Sequence, residues 1–157
     1  LIQEARKALG VTGVDPSALV LEITESVLMQ QADSAQQQLR ALKSLGVGLA
    51  IDDFGTGYSS LSYLQRFPFD TLKIDKSFVM AKERDASDAK IVRSTVDLAH
   101  ALGLSVVAEG VENASILKQL RALGCDDAQG FHFARPLAID TFGAWVAERA
   151  ERNAVVV

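Results

Sequence analysis

Leu49-Ala50-Ile51-Asp52-Asp53 and Leu72-Lys73-Ile74-Asp75 are short apolar runs that stop at charged side chains. Leu19-Val20-Leu21-Glu22 and Val106-Val107-Ala108-Glu109 do the same. A strand interior rejects an unpaired carboxylate because desolvation is costly, so acids recurring where apolar runs stop are either solvated strand ends or ligands gathered around a cation. If the strands are parallel neighbours, their carboxyl ends converge on one mouth and the second reading holds.

Between these runs a short phrase recurs: Lys7-Ala8-Leu9-Gly10, Lys43-Ser44-Leu45-Gly46, His100-Ala101-Leu102-Gly103 and Arg121-Ala122-Leu123-Gly124. Each reads as the end of an amphipathic helix with Gly in the left-handed position that follows it. Helix faces are expected at Leu39, Leu42 and Leu45, at Ile91, Thr95, Leu98 and Leu102, and at Ile116, Leu117, Leu120 and Leu123, the last opened by Asn113 as N-cap. Continuously apolar strands suit a sheet covered on both faces by helices. Five are expected, near residues 18–23, 47–52, 71–75, 104–108 and 128–133, alternating with helices and closed by a helix from about Asp140 to Arg152. That is an α/β chain, either an open parallel sheet or the C-terminal part of a (β/α) barrel, since a whole eight-stranded barrel takes ~250 residues.

The 157 residues, 48% hydrophobic and 23% charged, fit one cored domain. A net charge of -4 gives no general field for a nucleic-acid polymer, so a phosphate ligand needs local cations. The single Cys125 and the lack of an apolar run long enough to span a bilayer favour a reducing, cytoplasmic setting without membrane contact, although a longer parent could be anchored. Leu1 is no initiator Met, and the chain reads as a piece of something larger.

Side chains alternate along a strand, so Lys73 and Asp75 share a face; they either neutralise each other or serve a site. Asp52 and Asp53 point to opposite faces unless the backbone turns, which Gly55-Thr56-Gly57 permits; alone, Asp-Asp-Phe-Gly reads as a turn. Ser59-Ser60 is placed to cap the next helix. Glu25 suits a capping box at Ser26, whereas Glu22 sits at the strand terminus and is the better ligand. Four acids with no His or Cys at ligand spacing suggest Mg²⁺ or Mn²⁺ rather than zinc. Gln129-Gly130 adds a neutral amide on the last strand. His132 on that strand and His100 in a helix read as structural, and Phe142 and Trp145 as the packed face of the last helix.

In order and spacing, Leu21-Glu22-Ile23-Thr24-Glu25-Ser26, Ile51-Asp52-Asp53-Phe54-Gly55-Thr56-Gly57-Tyr58-Ser59-Ser60-Leu61, Leu72-Lys73-Ile74-Asp75, Ala108-Glu109-Gly110-Val111-Glu112 and Gln129-Gly130-Phe131 resemble the motifs of EAL domains, phosphodiesterases that open cyclic di-GMP to linear pGpG. The resemblance implies a TIM-like (β/α) barrel of the EAL type, here incomplete, with residues 1–157 a partial domain lacking its N-terminal strands. It implies two metals, the first on Glu22 and Asp52, the second on Asp52, Asp53 and Glu109. It implies that Lys73 holds or deprotonates the attacking water, that Gln129 and Asp75 support water and substrate, and that Glu112 lies close to the substrate. Glu25 would anchor the loop from Phe54 to Ser60, which the family uses to couple dimerisation to activity, so a homodimer is expected. Upstream sensor or diguanylate cyclase domains are compatible with it.

The Glu-Ala-Leu signature and a following Asn, both ligands of the first metal in the family, are not in this chain, and Phe131 stands where tyrosine is usual. Two function classes follow: a phosphodiesterase completed by strands outside this chain, or a degenerate domain that binds cyclic di-GMP or a protein without hydrolysis. Degenerate relatives usually lose their acids, and here every family acid in the span is kept, which favours the enzyme. A flavodoxin-like sheet is disfavoured, because no glycine-rich turn opens a helix after the first strand.

Overall fold

A computed structural model describes residues 1–30, 32–55, 61–80 and 86–154. Its strands are β1 (Val20–Thr24), β2 (Gly48–Phe54), β3 (Thr71–Ile74), β4 (Ser105–Ala108) and β5 (Asp127–Ala128). The helices are α1 (Ile2–Thr12), α2 (Glu25–Gln30), α3 (Ala32–Lys43), α4 (Leu61–Arg66), α5 (Lys76–Met80), α6 (Ala86–Ala101), α7 (Ala114–Ala122) and α8 (Ile139–Ala154), with a 3₁₀ turn at Pro16–Ala18. The five strands form one sheet in the order β1-β2-β3-β4-β5, and every neighbouring pair is parallel. A doubly wound sheet reverses its strand order at a switch point; sequential order is that of a barrel wall, here incomplete, with β1 and β5 as its edges.

The core follows from the continuous apolar runs. Leu49, Ala50 and Ile51 are all buried, as are Leu72 and Ile74. The glycines of the repeated phrase behave as expected at Gly46, Gly103 and Gly124, all at positive φ just past a helix. Gly10 does not. Helix α1 runs through it to Thr12, and Gly13 takes the left-handed position instead, its N–H bonded to Leu9 O at 3.0 Å. Asn113 caps α7, accepting from Ile116 N at 2.9 Å.

Three further expectations need correcting. The buried stripe of α6 is Val92, Val96 and Ala99, while Ile91 is 45% exposed. Leu98 and Leu102 of the expected face still pack against the core from its edge, partly buried. The last strand stops at Ala128: residues 130–133 turn back, with Phe133 N bonded to Gly130 O at 3.0 Å, so His132 lies in a turn. Phe142 is 49% exposed and Trp145 half-buried, so the expected packed face of α8 is only partly covered. Ser59 and Ser60 lie outside the described residues.

Sequence reading missed how the first residue of the repeated phrase is used. Lys43 Nζ donates to Asp70 Oδ2 at 2.6 Å, and the same oxygen accepts Leu49 N at 2.8 Å. One unit on, Asp126 Oδ2 accepts Val106 N at 2.7 Å and lies 2.9 Å from His100 Nε2. In both places an acid entering one strand pins the start of the strand before it, and a residue in the last turn of the helix leading into that earlier strand holds the acid.

Candidate functional site

Strand register decides which side chains meet. Glu22 pairs with Ala50 and Ala50 with Thr71; Lys73 pairs with Val107 and Val107 with Asp127. With a period of two, Glu22, Asp52, Lys73, Glu109 and Gln129 therefore share one face of the sheet. Asp53 would face away. The β2 to β3 ladder, however, advances three residues from Ile51 to Phe54 against two from Leu72 to Ile74, a bulge that inserts one residue. Asp53 sits in it at φ 56, a left-handed conformation that Asp tolerates better than most residues. The backbone thus turns inside the strand, two residues before the Gly55 segment expected to turn it.

Lys73 is the centre of the constellation. Its Nζ lies 2.7 Å from Glu22 Oε2, 3.1 Å from Asp52 Oδ1 and 2.6 Å from Glu109 Oε1. Lys73 is 5% exposed. Burial disfavours its charge, but the three carboxylates outweigh burial and push the ammonium above the usual lysine range. Gln129 Nε2 donates to Glu109 Oε1 at 2.7 Å. The segment carrying Gln129 is fixed by Gln129 N to Ala108 O at 2.9 Å and Val111 N to Gln129 O at 3.0 Å, which continue the ladder past both strands.

Lys73 and Asp75 do not pair. The strand ends at Ile74, and Asp75 Oδ1 accepts Ser77 N at 2.9 Å, capping α5. Hydrogen bonding by Ser77 lowers the Asp75 pKa, burial opposing it. Glu25 is buried at the start of α2 and accepts Gly55 N through Oε2 at 3.2 Å, which ties α2 to the end of β2. Thr56 to Ser60, the rest of that expected loop, lie outside the described residues.

Glu112 lines a cleft of about 640 Å³ that also takes in Glu109, Gln129, Lys76, Arg135 and Trp145. The sequence reading did not foresee this wall. Phe142 and Trp145 stack at 6.1 Å and line it, with Arg149 5.2 Å over the Trp145 ring. The Arg135-Pro136 step after the Gln129 turn was the available signal.

Asp52, Asp53 and Glu109 each offer a carboxylate oxygen, and these lie within 4.8 Å of one another. An all-oxygen carboxylate donor set fits a hard divalent cation, so the residues present suit the metals the motifs imply.

A family model described as the EAL domain matches residues 1–136. The chain belongs to the EAL domain family. It is 46% identical over 147 residues to MucR of Pseudomonas aeruginosa, a bifunctional diguanylate cyclase/cyclic di-GMP phosphodiesterase, covering 94% of this chain and 22% of MucR. The structure of the PaMucR phosphodiesterase with c-di-GMP superposes with a TM-score of 0.87 at 45% identity, over 90% of this chain and 57% of that one. A Klebsiella pneumoniae BlrP1 complex with manganese and cyclic di-GMP superposes with a TM-score of 0.80 at 38% identity, over 86% of this chain and 34% of that one. The chain spans about a fifth of the length of the curated relatives it matches. No helix among the described residues is long and apolar enough to cross a membrane.

Proposed function

We propose that this EAL chain is the metal- and substrate-holding part of a phosphodiesterase that hydrolyses cyclic di-GMP to linear pGpG, with residues 1–157 a partial domain completed by further strands. The observation carrying the reading is the meeting of Lys73 Nζ with Glu22, Asp52 and Glu109, side chains delivered by separate strands to one face. Membership of the EAL family and the cyclic di-GMP complexes of its structural neighbours support the substrate.

In this reading Glu22 and Asp52 hold one divalent ion and Asp52, Asp53 and Glu109 another. A pair of Mg²⁺ or Mn²⁺ ions there supplies Lewis-acid activation of water and neutralises charge on the phosphodiester. Lys73 orients the attacking water by donating a hydrogen bond and screens charge growing on the phosphate. Gln129 aligns Glu109 and offers its amide to water or substrate, while Glu112 meets substrate from the cleft. Asp75 assists the substrate side from the start of α5. Glu25 anchors the segment after Phe54, a place from which dimerisation could act on the site. The setting is cytoplasmic signalling, as a homodimer joined to sensor or cyclase domains.

The test is incubation of the complete domain with cyclic di-GMP, pGpG being followed chromatographically with Mg²⁺ or Mn²⁺ and with excess chelator. Turnover that disappears in chelator is expected. Tight binding of cyclic di-GMP with no pGpG under any condition would favour the silent binding domain instead.

A further inference from the structure

We propose that Lys73 is an internal competitor for the divalent-ion site: its ammonium serves as counter-cation to the acid cluster and so raises the free metal concentration needed to fill it. The inference rests on reading the cluster as a metal site. An ammonium has three N–H donors, and Lys73 has three carboxylate partners, one oxygen each from Glu22, Asp52 and Glu109. Its bonding capacity is matched there.

Two of those partners, Asp52 and Glu109, also belong to the trio with Asp53 whose ligand oxygens lie within 4.8 Å of one another. An ion in that corner therefore shares two carboxylates with Lys73. It must draw their charge away from the ammonium, and it does so as a second cation a few ångströms off in a partly buried setting, where like charges are poorly screened. Lys73 cannot easily withdraw. It is 5% exposed, and its neighbours Leu72 and Ile74 are clamped in the core.

Removing the charge should thus have opposite effects on the two states. Without a divalent ion the carboxylates lose their counter-cation and the fold weakens; with the ion, a competitor has gone and binding tightens. A lysine that helps to hold the metal ligands in place predicts the reverse for binding.

The experiment is Mn²⁺ titration of the complete domain by calorimetry, with thermal melting in chelator and in saturating Mn²⁺, for wild type, Lys73→Met and Lys73→Gln. Both variants are expected to bind Mn²⁺ about tenfold more tightly or better, to melt lower than wild type in chelator, and to recover more stability from the ion. Lys73→Gln is one atom shorter but keeps an uncharged N–H donor, so it decides alone if Lys73→Met does not fold. Unchanged or weaker binding by Lys73→Gln overturns the inference. No Mn²⁺ binding by any of the three at millimolar ion overturns instead the metal reading beneath it.

Discussion

Lys73 Nζ stands 2.6 Å from Glu109 Oε1, the shortest of its three carboxylate contacts. Glu109 is also the most sheltered partner, 18% exposed at its side chain against 49% for Glu22. Hydrogen bonds to buried charges are worth more than those screened by water, so the two acids should differ in their hold on the fold. Glu109→Ala is expected to destabilise by about 1–3 kcal/mol and Glu22→Ala by less than about 1 kcal/mol in urea unfolding without divalent ions. Equal losses would show that exposure does not grade these contacts.

The repeated acid pins give a pH dependence. Asp126 titrates below the usual carboxylate range, held there first by its hydrogen bond with His100 and then by that from Val106 N. A depressed folded pKa contributes stability above the unfolded value, about 4, and loses it as pH falls through the lower folded value. Asp126→Asn should therefore cost most near neutrality and progressively less below about pH 4. With the pair over a third exposed the cost stays below about 1 kcal/mol. A difference that grew on acidification would contradict the assignment.

Backbone contact makes a sharper structural prediction. A Cβ on Gly130 would lie 2.3 Å from both Val111 N and Val111 O, and Val111 belongs to the segment that joins Glu109 to Glu112. Gly130→Ala is expected to cost about 1–3 kcal/mol. Gly10→Ala, in the last turn of α1 with nothing within 4 Å, should instead stabilise by about 0.5–1 kcal/mol. Chemical denaturation checks both, and opposite signs are required.

The strand-end acids were legible because charge at the end of an apolar run has few explanations, and register then put Glu22, Asp52, Lys73, Glu109 and Gln129 on one face. Asp53 joins them through a bulge, which no alternation rule foresees. Asp75 shares the parity of Lys73 in sequence, but the strand ends between them and its carboxylate caps a helix. Phe131-His132-Phe133 reads as strand by composition, yet the approach of Gly130 to Val111 turns the chain there. Lys43 and His100 lie 27 and 26 residues before their acids, a spacing visible only once the strands are known to be sequential neighbours.

Two open edges predict association. Val20 on β1 is 52% exposed, and β5 has only two residues in its ladder. Unpaired edges beside apolar side chains recruit other strands. Purified residues 1–157 are expected to self-associate in light scattering and to turn over no cyclic di-GMP. A stable monomer with the rate of the complete domain would show that the remaining strands are dispensable.

The most direct test of the central claim is cyclic di-GMP turnover by the complete domain with and without Asp52→Asn, in saturating Mn²⁺. Asp52 touches Lys73 and belongs to the trio with Asp53 and Glu109, so one lost carboxylate charge disturbs the whole cluster. A fall of about 100-fold or more in kcat, with the fold intact, is predicted. Hydrolysis to pGpG at an undiminished rate would contradict the account.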